Sequence, residues 1–147
     1  MTKIENLKVF ISYSWDDEKH KAWVDRLAND LNKKADVILD REELGPGSSK
    51  SAFLKEIHDA NKVICILTPE YMSKVKAGEG VLGREEYPII KDEIENRKDI
   101  SKKYIPILRK GTEKESIPVE LSDPIFVDFR KDEEYHEKLD DLLKLFY

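Results

Sequence analysis

Apolar residues follow two rhythms along this chain. Short unbroken runs occur at Val9-Phe10-Ile11, Val37-Ile38-Leu39, Val63-Ile64-Cys65-Ile66-Leu67, Tyr104-Ile105-Pro106-Ile107-Leu108 and Ile125-Phe126-Val127-Asp128-Phe129. Continuous rather than alternating runs predict strands covered on both faces. Between them the spacing changes to three and four, as in Trp23, Leu27 and Leu31, and in Tyr135, Leu139, Leu142, Leu143 and Phe146. Such stripes predict amphipathic helices. Phe53, Leu54 and Ile57 mark another helix, capped by Ser48 or Ser49, while Ser14 and Asp16 are candidate caps for the first. Glu70 to Gly83 reads as irregular, followed by a helix from Arg84 to Arg97 with Ile90 and Ile94 inward and Pro88 tolerated in its first turns. Pro106 fits better near a strand end or a sheet edge than mid-ladder.

Strands alternating with helices require crossover connections and so a parallel sheet. The expectation is a flavodoxin-like three-layer α/β sandwich forming one domain over residues 1–147. Its five parallel strands should lie near residues 7–12, 36–40, 62–67, 104–108 and 125–128, in spatial order 2-1-3-4-5. Ligands bind such sheets outside the carboxyl ends of the strands. That directs attention to Ser12–Asp17, Asp40–Ser49, Thr68–Glu86 and the turns after Leu108 and Phe129.

Composition narrows the functions available. Charged and hydrophobic residues each make up 39% of the chain and the net charge is -5, which speaks against a nucleic-acid partner bound through a basic face. No run approaches the roughly 18 apolar residues of a membrane span, and the first six residues carry no secretory h-region. The expected setting is therefore cytoplasmic, with no membrane partner. The single cysteine, Cys65, removes a disulfide framework and a cysteine-rich zinc site, and reads as a small core hydrophobe. His20, His58 and His136 fall on separate helices without ligand spacing, so they read as surface or helix-boundary residues and no metal is expected.

Several motifs point to chemistry with unequal force. Gly78-Glu79-Gly80-Val81-Leu82-Gly83 matches the dinucleotide fingerprint in letters, but its first glycine stands about ten residues past the nearest strand, where a loop leading into the next helix is expected instead. A phosphoacceptor receiver would need acids directly after the first strand and an aspartate ending the third, where Ser12-Tyr13-Ser14 and Thr68-Pro69 stand. The charged run Asp40-Arg41-Glu42-Glu43, pinned by Gly45-Pro46-Gly47 at the carboxyl edge, suits binding or assembly. Glu85 and Glu86 open a helix, where carboxylates meet the positive end of its dipole.

These segments together resemble the Toll/interleukin-1 receptor (TIR) domain family. Val9-Phe10-Ile11-Ser12-Tyr13-Ser14 with Asp16-Asp17 looks like its first-strand signature, and Asp40-Arg41-Glu42-Glu43-Leu44-Gly45-Pro46-Gly47 looks like its BB loop. Leu67-Thr68-Pro69-Glu70-Tyr71 resembles the end of its third strand, and Gly80-Val81-Leu82-Gly83-Arg84-Glu85 is similar to the SEFIR branch. The resemblance implies cleavage of NAD+, as substrate and not as cofactor, at the nicotinamide–ribose bond. It assigns the catalytic carboxylate to Glu85, with Glu86 as the alternative, and the NAD+-binding residues to Phe10, Ser12, Tyr13, Ser14, Arg41 and Tyr71. It also implies homotypic self-association through Arg41, Glu42, Glu43, Leu44, Gly45, Pro46 and Gly47, in bacterial defence signalling of the anti-phage type, with an additional domain or effector protein as a further partner. NAD+-cleaving members commonly carry a tryptophan shortly before the glutamate, whereas Trp15 and Trp23 both lie near the first helix. A second reading follows, a non-catalytic module that signals by TIR–TIR contact. Hydrolysis and cyclisation are both open products.

Overall fold

The structure, a computed structural model, describes residues 3–39, 47, 49–97 and 102–147. Among these residues five parallel strands form one sheet: β1 (Lys8–Ser12), β2 (Asp36–Ile38), β3 (Lys62–Leu67), β4 (Tyr104–Leu108) and β5 (Val127–Asp128). Their spatial order is β2-β1-β3-β4-β5, as the sequence predicts. The crossovers carry helices α1 (Glu18–Leu31), α2 (Lys50–Asp59), α3 (Pro69–Ala77), α4 (Tyr87–Asn96), α5 (Glu113–Ser116) and α6 (Tyr135–Lys144).

Side chains alternate across a strand, so each strand feeds two cores. Along β3, Ile64 and Ile66 join Val9, Ile11, Leu27 and Leu142 beneath α1 and α6. Val63, Cys65 and Leu67 join Phe10, Ile57, Tyr71 and Ile90 beneath α2, α3 and α4. The helical stripes read from the sequence face these two layers.

Four local expectations are corrected. The cap of α1 is Asp17, whose carboxylate accepts from the His20 amide at 2.7 Å, while Asp16 is taken up by a hydrogen bond from Ser14. Residues 70–77 are not irregular but belong to α3, capped by Thr68, with Pro69 in its first turn and Gly78 closing it at φ 64°. His20, read as a surface or helix-boundary residue, lies in the first turn of α1 and is buried there rather than on the surface. The fifth strand is shorter than its apolar run, because Ile125 and Phe126 stay out of the sheet.

Pro106 explains the short strand. The Val63 amide donates to Lys103 O and the Arg109 amide to Leu67 O, so odd-numbered residues of β4 bond toward β3. The Phe129 amide donates to Leu108 O, so even-numbered residues face β5. Pro106 thus turns its missing donor outward, where an extended β5 would need one. Pairing starts only at Ile107↔Val127. The proline sits mid-strand after all, and the open side of the ladder tolerates it.

Candidate active site

The carboxyl ends of β1 and β3 lie side by side, with Ser12 paired to Cys65 in register. Ser12 points into the α3–α4 layer, where its hydroxyl meets the Tyr71 hydroxyl at 2.9 Å. Thr68 accepts from the Tyr71 amide at 3.1 Å, fixing the first turn of α3, and its hydroxyl lies 3.3 Å from that of Ser14. Phe10 packs on Phe53 with ring centroids 5.5 Å apart. Phe10, Ser12, Ser14 and Tyr71 therefore share one layer and are all fully buried. Tyr13 is buried too but belongs to the opposite layer, with the Lys21 ammonium 5.4 Å from its ring centroid. Period-two alternation separates it from its predicted neighbours.

The two glutamates part company at the start of α4. Helical structure begins at Gly80, passes through a π-helical turn at Leu82–Glu86 and continues as α4. Glu86 lies four residues before Ile90 and seven before Glu93, so all three share the inward face, and each is fully buried. Glu85 is only half-buried. Burial, above all, pushes the Cys65 thiol up to about 12, and the Glu86 charge adds to the rise. Tyr71 is likewise raised by burial, by the Cys65 charge and by the Glu86 charge. The Glu86 carboxyl group is thus close enough to the floor of the site to be felt there. The inert thiol agrees with a packing role for Cys65.

The glycines between α3 and α4 shape this turn. Gly78 ends α3 in the left-handed conformation, and the Gly80 backbone lies in the same region at φ 67°. A Cβ on Gly83 would stand 2.2 Å from the Lys74 carbonyl oxygen, so the π turn can approach the end of α3 only because this residue has no side chain. The segment is helical and closely packed, not the loop expected from its composition.

A sequence profile of the TIR domain family matches residues 9–143. The chain belongs to the TIR domain family. A prokaryotic SEFIR domain of known structure is 32% identical, with a TM-score of 0.75 over 97% of this chain and 93% of that one. The TIR domain of the Toll-related receptor TRR-2 from Hydra magnipapillata shares the fold at 17% identity, with a TM-score of 0.64 over 94% of this chain and 96% of that one. The TIR domains of the activated Roq1 resistosome, which directly recognises the pathogen effector XopQ, share it at 18% identity, with a TM-score of 0.66 over 97% and 100%. No curated protein matches this chain.

Of the interface and substrate residues expected for this TIR domain, Arg41, Glu42, Glu43, Leu44, Gly45 and Pro46 lie outside the described residues. Gly47 is exposed at φ 90°. Among the described residues no cluster of His, Cys, Asp and Glu could hold a metal, and no helix is long and apolar enough to cross a membrane. One signal for the orientation of Glu86 was available in the sequence. The inward pair Ile90 and Ile94, extended back by one helical step of four, reaches Glu86 and passes over Glu85. Thr68, which joins Ser14 to Tyr71, is legible in the sequence only as part of the Leu67-Thr68-Pro69-Glu70-Tyr71 motif.

Proposed function

We propose that this TIR domain cleaves NAD+ at the nicotinamide–ribose bond, with Glu86 as the charge-stabilising carboxylate and Glu85 as the competing assignment. One observation carries the choice: Glu86 is fully buried on the inward face of its helix, whose Leu82, Tyr87 and Ile90 pack in the same layer as Tyr71, whereas Glu85 is half-exposed. The chemistry needs only one such group. The C1′–N1 bond breaks with its electron pair going to the cationic pyridinium, which departs as neutral nicotinamide, so no general acid is needed. Positive charge then develops at the ribosyl centre, where a preorganised carboxylate stabilises it. Water attack yields ADP-ribose and a proton, and attack by the adenine of the same molecule yields the cyclic product. Because Glu86, Phe10, Ser12, Ser14 and Tyr71 are all shielded from solvent, turnover requires these side chains to become accessible.

The test is chromatographic detection of nicotinamide released from NAD+ by concentrated protein. Glu86→Gln should lower turnover about 10²-fold or more, the usual effect of deleting one electrostatic stabiliser, and Glu85→Gln should cost far less. The reverse pattern would transfer the role to Glu85. A second reading, a TIR–TIR interaction module without turnover, draws on the 32% identity with a SEFIR domain and on the lack of a tryptophan just before the glutamates. Absence of nicotinamide from every variant at every concentration would favour it. Under both readings the domain acts in defence signalling and works by self-association.

A further inference from the structure

The short β5 leaves an open groove of about 570 Å³ beside the first half of β4, at the pole opposite the candidate active site. Its floor is Ile94 and Ile105, and its rim carries Ile125, Leu145 and Tyr147. Ile125 is 92% exposed and Tyr147 83%, although both are large apolar side chains. A contiguous apolar patch of this kind on a soluble domain marks an interaction surface.

The charges around it select the occupant. Both acids of the groove, Glu120 and Asp123, come from the segment before β5, and both lysines, Lys102 and Lys144, come from the other two walls. The rim is electrically neutral and divided by sign, although the chain as a whole carries -5. A partner seated here must present apolar side chains flanked by the same two signs in reversed order. A second copy turned through a two-fold axis does so, because each lysine wall then meets the partner's acidic wall.

We infer that this groove is a two-fold contact between copies of the chain, with Ile125, Leu145 and Tyr147 filling the partner's groove. It is distinct from the BB-like loop and independent of whether NAD+ is cleaved. A closed two-fold contact gives dimers, whereas a head-to-tail loop contact gives open chains, so the two can be combined in one assembly.

Sedimentation velocity over a concentration series tests the inference. In the Arg41→Glu background, which removes the BB-like contact, the chain should still shift from monomer to dimer as concentration rises, and adding Ile125→Asp, at a solvent-facing position that folding does not need, should leave it monomeric. Lys144→Glu and Asp123→Lys should each weaken dimerisation about tenfold, and an equimolar mixture of the two should restore a heterodimer, because each then meets the opposite charge across the axis. An Arg41→Glu protein that stays monomeric up to about millimolar concentration overturns the proposal. So does an added Ile125→Asp that leaves dimerisation unchanged, or a charge-reversed pair that fails to recover on mixing. Circular dichroism of each variant separates loss of contact from loss of fold.

Discussion

His20 is the polar side chain whose burial has the plainest consequence. Among the described residues neither of its ring nitrogens has a hydrogen-bond partner. Burial lowers its pKa, Asp16 and Asp17 oppose that shift, and Lys110 and Arg109 reinforce it. A histidine held neutral in the fold binds its proton more readily when unfolded. Its contribution to stability is therefore complete above the unfolded value of about 6.5 and is lost as the pH falls below it. The urea midpoint should drop between about pH 7.5 and 5.5 in the wild type, and His20→Phe should shrink that drop. An equal drop in both proteins would mean that His20 does not titrate as argued. The same scale shows what the sequence concealed: a buried histidine and an exposed isoleucine each contradict the average behaviour of their residue type, and only tertiary packing assigns them.

At the scale of elements, helix faces are more legible than helix ends: the stripes of α1 and α6 face the core as read, while the cap of α1 is Asp17 rather than Ser14 or Asp16. The reverse holds for α3, whose start and stop are spelled by Thr68, Pro69, Glu70, Lys74, Lys76 and Gly78. Its apolar stripe, with Tyr71 and Met72 buried, is too thin to register as a period, so the segment reads as irregular. The strands were legible because unbroken apolar runs leave few alternatives, except at β5, where Pro106 on the neighbouring strand cut the ladder short. Two predictions belong here. Gly83→Ala should destabilise the fold by about 2 kcal/mol in urea unfolding, since its Cβ would collide with backbone rather than with a yielding side chain. The second concerns Glu93, whose carboxylate joins α4 to α2 and β4 by accepting from Lys103 at 2.7 Å, Tyr104 at 2.5 Å, Arg97 at 3.1 Å and the His58 ring at 2.6 Å. Burial pushes its pKa up, but the donors outweigh burial and hold it below the ordinary value. Its contribution is present above the unfolded value of about 4.3 and fades as the pH falls further. Glu93→Gln leaves a buried lysine without its charge partner and should cost about 3 kcal/mol at neutral pH, with a smaller cost at pH 3.

For the whole molecule, the parallel order of the sheet brings the candidate carboxylate and its hydroxyl floor to one pole and the apolar groove to the other. Assembly through the BB-like segment can be tested by light scattering. Gly47 stands at φ 90°, which a proline fixed near -65° cannot adopt. Gly47→Pro and Arg41→Glu should both reduce assembly, and unchanged scattering from both would remove the segment from the interface.

Pro106 also bears on how this protein behaves in crowded solution. An uncovered strand flank offers a template on which another chain can add itself, the first step toward amyloid-like stacking. Here the flank beside the groove lacks a donor at its centre, so recruitment there must proceed through side chains, which discriminate between partners, rather than through backbone, which does not. Pro106→Val should leave the fold in place yet shorten the lag before thioflavin-positive aggregates form. The residue that least suits a strand would then be what keeps this domain from joining the wrong kind of polymer.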